Sequence, residues 1–247
     1  GINRLSIGVQ SFNNNVLDFI GRSHNAKVAK NAIILAGQMG FDNISVDMML
    51  GLPAQDTIDV EKMAKWLAKH DVKHISAYSL ILEKGTPMKE LVDEGRLSVP
   101  SDDETVDMYN SVFAVLKKYG YQRYEVSNFA QPDYECKHNI VYWTGREYLG
   151  LGISAHSFMG GKRFSNTEDF DKYISNLLEK NLAVENTEIL TPSQRREEEI
   201  MLSLRTKFGL DTRRLDRLYG GNFLKDKEKE IDFLAKNGFI KIDDGKI

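Results

Sequence analysis

The stretch from residue 121 to residue 157 holds most of the side chains in this sequence that could do chemistry. Hydrogen-bonding, aromatic and ligating residues crowd into it: Tyr124, Glu125, Asn128, Cys136, His138, Asn139, Tyr142, Trp143 and His156. The segment shows little helical periodicity, which indicates strand and loop, and a Gly150-Leu151-Gly152 turn closes it. Because buried polar groups need partners, core filling explains this set poorly. We predict a site here; the alternative is ordinary strand aromatics with a half-buried histidine.

Composition and charge narrow the class of protein. The chain has 247 residues, of which 41% are hydrophobic and 28% charged, as in soluble globular proteins with one large domain or a large and a small one. A formal net charge of -3 provides no basic field for phosphates, so no nucleic-acid partner is expected. No apolar run reaches about 18 residues and no signal-like start is seen, so we expect no membrane span and a cytoplasmic location.

Cysteine usage limits the metal chemistry. Cys136 is the single cysteine, which excludes an internal disulfide and is compatible with a reducing cytosol. Iron-sulfur clusters take three or four thiolates, so this chain alone should not hold one. We therefore expect no metal site held by this chain alone.

The first third of the chain has the pattern of an α/β protein. Strand, helix, strand, helix and strand are predicted at residues 4–10, 26–39, 42–50, 57–70 and 73–82. This alternation predicts parallel pairing with right-handed crossovers. Gln10, Asp47, Tyr78 and Ser79 lie at or near the carboxyl ends of the strands, where parallel barrels build their sites. We expect Gln10 and Asp47 to face one cavity; the alternative for Asp47 is a capping or turn carboxylate.

The remaining helices show conventional caps and one change of composition. Residues 102–104 are acidic and begin a predicted helix over residues 102–119, where they offset the macrodipole. A further helix is predicted over residues 170–178. A charged helix over residues 194–206 follows Thr191-Pro192-Ser193, with residues 195–199 on a solvated face and Ile200, Met201, Leu204 and Phe208 on an apolar one.

The end of the sequence predicts a small separate unit. Two more helices and a hairpin starting at Phe239 give a winged-helix-like pattern whose second wing strand would begin near Ile247. Acidic residues interleaved through its third helix favour a structural or docking role over DNA reading. We predict a first domain over residues 1–187 and a second over residues 188–247.

Six motifs in order resemble a known family. They are GVQSF at residues 8–12, GRSH at 21–24, VDMMLGLP at 46–53, YEVSNFA at 124–130, HNIVYW at 138–143 and LGLGISAHS at 149–157. Together they resemble the radical SAM proteins related to oxygen-independent coproporphyrinogen III oxidase, and are most similar to its heme chaperone branch, HemW. The likeness covers essentially the whole chain.

The resemblance implies a fold and two cofactors. It implies the C-terminal part of a partial (β/α)6 radical SAM barrel that binds S-adenosylmethionine beside a [4Fe-4S] cluster, followed by a winged-helix-like domain. The family's cysteine motif is missing, so we expect a piece of a longer protein that starts near the fourth strand and is itself inactive. Residues matching the S-adenosylmethionine positions are Gln10, Arg22 and Asp47, and the backbone near Ala155 and His156 would close that pocket.

The HNIVYW motif resembles one proposed for heme binding in the chaperone branch. On this resemblance His138 is a possible axial ligand, while Asn139, Tyr142 and Trp143 would surround the macrocycle. The alternative is that His138, in an extended segment, only braces the loop.

Three functions remain open from sequence. The first is a chaperone that binds heme or porphyrin and passes heme to acceptor proteins. The second is the oxidase itself, which converts coproporphyrinogen III to protoporphyrinogen IX; the local sequences QSF and GRSH favour the chaperone. The third is a barrel that only binds a ligand.

Overall fold

The computed structural model describes residues 1–247 and shows two compact units, residues 1–136 and residues 137–247. The predicted domain boundary between residues 187 and 188 divides the chain differently and stays a prediction. None of the helices has the length and apolar character that a membrane crossing requires.

A five-stranded sheet forms the first unit. Its strands are β1 (Arg4–Gln10), β2 (Asn43–Leu50), β3 (His74–Ser79), β4 (Gln122–Arg123) and β5 (Asn128–Ala130), in the order β1-β2-β3-β5-β4. The first three strands are parallel neighbours and the last two pair antiparallel. The helices are α1 (Asn14–Phe19), α2 (Ala26–Gln38), α3 (Thr57–Lys69), α4 (Pro87–Asp93) and α5 (Asp102–Lys118). The predicted parallel α/β arrangement is confirmed.

The sheet of the first unit has one apolar and one polar face. Alternate residues of the parallel strands, such as Val9, Val46 and Ile75, pack in one core with buried residues of α2, α3 and α5. Burying one large apolar side chain of this core contributes about 2 kcal/mol. Side chains alternate along a strand, so the intervening residues must lie on the other face. That face carries the polar residues.

Capping residues fix where the helix α5 begins. Ser101 accepts a hydrogen bond from the Glu104 backbone N–H at 3.3 Å, and the Glu104 carboxylate accepts one from the Ser101 N–H at 2.8 Å. This reciprocal pair is a capping box, and Asp102 and Asp103 complete an acidic first turn. The predicted capping role of the acidic cluster is confirmed.

A buried histidine on β3 connects polar groups from three parts of the first unit. His74 Nδ1 lies 2.8 Å from Ser45 Oγ, and its Nε2 lies 2.8 Å from the Tyr124 hydroxyl. The same hydroxyl accepts a hydrogen bond from the Cys136 N–H at 3.3 Å. If the Tyr124 O–H donates to Nε2, then Nδ1–H donates to Ser45 and every group is satisfied by a neutral imidazole. Burial lowers the pKa of His74 to about 3, with a smaller contribution from Arg4.

An antiparallel sheet and a group of helices form the second unit. The sheet contains β6 (His156–Met159), β7 (Lys162–Asn166) and β8 (Val184–Ile189) in that order. The helices are α6 (Lys137–Trp143), α7 (Phe170–Leu178), α8 (Pro192–Ser203), α9 (Thr212–Tyr219), α10 (Phe223–Asp226) and α11 (Glu228–Lys236). A small core of Leu210, Leu215, Phe223 and Ile231 holds the last helices together.

Three local predictions for the second unit are wrong. Residues 137–143 form the helix α6 and not an extended segment, so His138 and Tyr142 lie one turn apart on one side of it. No strand forms at residues 239–242; the turn at Asp243 and Lys246 instead returns the chain to Leu210, which exchanges two backbone hydrogen bonds with Ile247. The predicted third helix is also divided, into α10 and α11.

We expect the stability of the chain to depend on the protonation of His74. Below about pH 6.5 the unfolded chain takes up a proton that the folded imidazole, with its lowered pKa, does not bind. The free energy of unfolding should therefore decrease as the pH falls below 6.5, with a slope of up to about 1.4 kcal/mol per pH unit. Urea unfolding between about pH 7 and pH 5, followed by circular dichroism, measures this slope.

His74→Gln removes the titrating group and should flatten the pH dependence in that range. His70→Gln is the matched control, because His70 is exposed and stacked on Trp66 with ring centroids 3.7 Å apart. Equal slopes in wild-type and His74→Gln protein would show that the imidazole does not stay neutral in the folded state.

Candidate functional site

One row of residues crosses the polar face of the first sheet. Gly8, Asp47, Ser76 and Asn128 are successive register partners on β1, β2, β3 and β5. Register partners project to the same face, so the Asp47 carboxylate shares this face with Ser76 and Asn128. Asn128 Nδ2 donates to the buried Glu125 carboxylate, while the buried Asn128 Oδ1 has no partner. The carboxylate and amide oxygens of such a row can accept hydrogen bonds from the hydroxyl and amino groups of a polar ligand.

Gln10 joins that face through an irregularity at the end of β1. The register shifts between Gly8 and Gln10, and the Gln10 backbone has a positive φ of 70°. Its Nε2 lies 3.1 Å from the point where a Cβ on Gly8 would lie, so the amide covers Gly8, the register partner of Asp47. That Gln10 and Asp47 face one cavity and share a ligand stays a prediction.

Arg22 lies in an exposed loop tied to the same strand end. His24 Nε2 is 3.2 Å from the backbone carbonyl oxygen of Val9 on β1, which anchors the loop two residues after Arg22. The Arg22 side chain itself is exposed. Sequence reasoning treated the GRSH segment only as a motif and missed the anchoring role of its histidine.

Ala155 and His156 belong to the second unit, where a glycine allows two backbones to approach. A Cβ on Gly150 would lie 2.2 Å from the His156 carbonyl oxygen, so only glycine fits at this position. The Gly150 N–H donates to the buried Ser157 hydroxyl at 3.0 Å. His156 begins β6 with an exposed side chain and Ala155 is half-buried. Their predicted part in an S-adenosylmethionine pocket stays a prediction.

The helix α6 presents the HNIVYW side chains. His138 is exposed, and its Nε2 lies 2.9 Å from the Tyr142 hydroxyl. Tyr142 in turn meets Tyr148 edge-on, with ring centroids 4.6 Å apart. Asn139 and Trp143 are half-buried. The helix therefore offers one accessible imidazole at the end of a series of aromatic rings.

This series leads into a cavity of about 770 Å³ within the second unit. Tyr142 and Trp143 at the end of α6 form one wall, and Phe158 and Arg163 of the β6-β7 hairpin form another. The helices α8 and α9 supply most of the rest, with Arg195, Glu198, Glu199, Leu202, Arg214 and Tyr219. The volume is in the range of pockets for cofactors and drug-sized ligands. His138 does not line the cavity and reaches it through Tyr142.

The two glutamates of the cavity are paired with arginines. Arg163 Nη2 lies 3.0 Å from both carboxylate oxygens of Glu198, which raises the pKa of Arg163. Glu199 pairs with Arg214 and accepts a hydrogen bond from the Tyr219 hydroxyl at 3.1 Å. Burial, followed by the charge of Glu199, raises the pKa of Tyr219, so this phenol stays neutral near pH 7.

Sequence reasoning missed this cavity because it assigned residues 195–199 to a solvated face, which is wrong for part of them. Glu198 and Glu199 are half-buried, and both line the cavity together with Arg195. Arg195, Glu199, Leu202 and Thr206 recur at intervals of three or four residues, which places them on one side of a helix. That spacing was the available signal.

Two family models match separate parts of the chain. The Radical SAM superfamily model matches residues 1–67, which span β1, β2 and most of α3. The HemN C-terminal domain model matches residues 190–247, which contain the helices α8 to α11. The fold and these matches define a radical SAM protein whose partial barrel is followed by a HemN-type C-terminal region.

Similar proteins narrow this class. Heme chaperone HemW of Bacillus subtilis is 38% identical over 240 residues, and the match covers 97% of this chain and 63% of that protein. HemW of Lactococcus lactis is 34% identical, with 100% and 64% covered. Coproporphyrinogen III oxidase HemN of Escherichia coli shares the fold with a TM-score of 0.77 at 23% identity, over 99% of this chain and 60% of that chain. The chain therefore resembles the radical SAM proteins related to coproporphyrinogen III oxidase, on the HemW side, and it spans less than two thirds of the length of these relatives.

The link between Arg163 and Glu198 should stabilise the second unit, because it joins β7 to α8. Glu198→Gln keeps a hydrogen-bond acceptor and removes the charge, so we expect a loss of about 0.5 to 1 kcal/mol; the pair is about one third exposed, which limits its strength. Urea unfolding at low and high salt should show the loss shrinking as salt increases.

Glu197→Gln is the matched control, since Glu197 is exposed on the same helix and contacts only Ser193 at 3.4 Å. A loss of stability that is equal in both variants, or independent of salt, would contradict the ion-pair assignment.

Proposed function

We propose that this chain is the part of a HemW-like protein that binds heme or a related tetrapyrrole for delivery to acceptor proteins. The observation that carries the proposal is the exposed His138 imidazole, which is hydrogen-bonded to Tyr142 on the wall of an aromatic-lined cavity. The relatives above 30% identity named heme chaperones support it. A cytoplasmic location belongs to the same proposal, and the single cysteine is consistent with it.

The geometry of α6 suits transient binding of heme iron. Imidazole is a common axial ligand of heme iron, and His138 places one at the surface of the second unit. Tyr142 and Tyr148 provide ring faces and edges beside it. A ligand bound here would contact solvent on one side, as transfer to an acceptor requires.

The oxidase alternative has weaker support. Likeness to coproporphyrinogen III oxidase HemN is at 23% identity and concerns the fold alone. We therefore favour the chaperone function over oxidative decarboxylation of coproporphyrinogen III.

The family resemblance implies two further cofactors, S-adenosylmethionine and a [4Fe-4S] cluster. The residues of this chain suit the first and not the second. The polar row of the first unit fits S-adenosylmethionine: Gln10, Asp47 and the unpartnered Asn128 Oδ1 share one face and can hold ribose and amino groups. Arg22 could pair with the ligand's carboxylate. Cys136 alone cannot hold a [4Fe-4S] cluster, so the residues of this chain do not fit that group.

We expect His138→Ala to weaken heme binding and to shift the Soret band, because an axial ligand is lost. Titration of the chain with hemin, followed by absorbance, gives both the affinity and the spectrum. The affinity should fall about tenfold or more, as for loss of one good directed bond. His70→Ala is the control, because it removes another exposed histidine that packs on Trp66 in the first unit.

Identical spectra and affinities for wild-type and His138→Ala protein would leave His138 as a residue that only braces α6. The chaperone proposal would then lose the observation that carries it.

We expect Asp47→Asn to reduce binding of S-adenosylmethionine about tenfold, since the carboxylate would lose its charge-assisted hydrogen bonds to the ligand. Equilibrium dialysis measures the affinity without any turnover. Asp18→Asn is the control, an exposed carboxylate on α1. Equal affinities in the three proteins would remove Asp47 from the cofactor site, and the heme spectrum should be the same in all of them.

A further inference from the structure

The cavity of the second unit contains two arginines whose charges are not neutralised. Its lining has five basic side chains against three acidic ones, an excess of two positive charges. Arg163 and Arg214 are committed to Glu198 and Glu199. Asp211 caps α9 by accepting from the Arg214 backbone N–H at 2.9 Å. Arg146 and Arg195 have no such carboxylate partner, so their guanidinium groups can receive an anion.

Arg195 is held over the cavity by its surroundings. Its guanidinium carbon lies 5.9 Å from the centre of the Phe158 ring, and Nη1 lies 3.8 Å from the point where a Cβ on Gly161 would be. Gly161 has a φ of 72° in the turn between β6 and β7, so a larger residue there would be strained and would approach the guanidinium. The arginine is therefore packed on an aromatic wall beside the turn.

The rest of the lining suits a flat apolar body. Trp143, Tyr148, Phe158 and Phe208 present aromatic surface to the cavity, together with Leu202 and Leu218. Tyr148 and Phe158 lie with ring centroids 6.4 Å apart and continue the series that begins at His138 and Tyr142. A planar aromatic ligand could stack along this series while anionic substituents reach the arginines.

We propose that the cavity binds the carboxylate edge of a planar tetrapyrrole, with one carboxylate at Arg146 and the other at Arg195. This inference rests on the proposed function. It places the two ligand carboxylates at Arg195 on α8 and at Arg146 in the segment after α6, apart from His138, the proposed iron ligand. It also accounts for the pairing of Glu198 and Glu199 with arginines, because free carboxylates there would repel the ligand.

Metal-free mesoporphyrin IX tests the proposal without iron ligation, because it has two propionates and no metal. Quenching of tryptophan fluorescence gives its affinity for the 247-residue chain. Arg195→Met and Arg146→Met should each weaken binding about tenfold, whereas mesoporphyrin dimethyl ester should bind all proteins alike. Arg196→Met is the control, since Arg196 lies on the same helix over Phe223 and outside the cavity.

The outcomes separate this inference from the proposed function. Porphyrin affinity that is unchanged in both arginine variants overturns the inference, and the hemin spectrum of His138→Ala protein still tests the chaperone proposal. Arginine-dependent porphyrin binding with no response of hemin to His138→Ala supports the inference and contradicts iron ligation at His138. A wild-type chain that binds neither compound overturns both. Thermal unfolding of each variant identifies losses that come from misfolding, and Arg195→Lys, which keeps the charge, should then restore part of the affinity.

Discussion

The register of the three parallel strands is the constraint on which the first unit depends. Because β1, β2 and β3 pair without slippage up to Gly8, the alternate apolar residues that include Ile44, Val46 and Ile75 lie on one face and pack with α2, α3 and α5. The same register places Asp47, Ser76 and Asn128 side by side in one row on the opposite face. A shift of one residue would bury these polar groups in the apolar core and expose Val46 and Ile75. Packing on one face thus assembles the polar site on the other.

Periodicity was sufficient for the three parallel strands of the first unit, but it did not predict the antiparallel pairing of β4 and β5, and local pattern failed where tertiary contacts decide. Residues 4–10, 43–50 and 74–79 alternate or form apolar runs between clear helices, so their order and parallel pairing followed from the sequence. Residues 137–143 contain β-branched and aromatic side chains that favour strands, yet they form a helix. In the helix His138 reaches Tyr142, a contact between residues four apart that an extended segment does not make.

The cavity of the second unit could not be predicted from the sequence, for a different physical reason. Arg195, Glu198 and Glu199 are charged, and charged residues on a helix are most often solvated. Here, ion pairs to β7 and α9 hold Glu198 and Glu199 half-buried, and Arg195 lines the same cavity beside them. Arg163, the partner of Glu198, is 35 residues away in sequence, and Arg214, the partner of Glu199, is 15 residues away. No local sequence pattern predicts these pairs. The anchoring of the GRSH loop by His24 is likewise a contact to a backbone carbonyl, which residue type alone does not specify.

The hydrogen bond between Tyr142 and His138 Nε2 has a consequence for the rate at which a metal-bound ligand would leave. A bare imidazole nitrogen that loses iron must be rehydrated, whereas this nitrogen regains the Tyr142 hydroxyl 2.9 Å away. When the Tyr142 O–H is the donor, it competes with iron for the Nε2 lone pair and so weakens the net binding of the metal. On the proposed function, such a ligand would favour a short residence time, which is what a carrier needs and a permanent heme protein avoids.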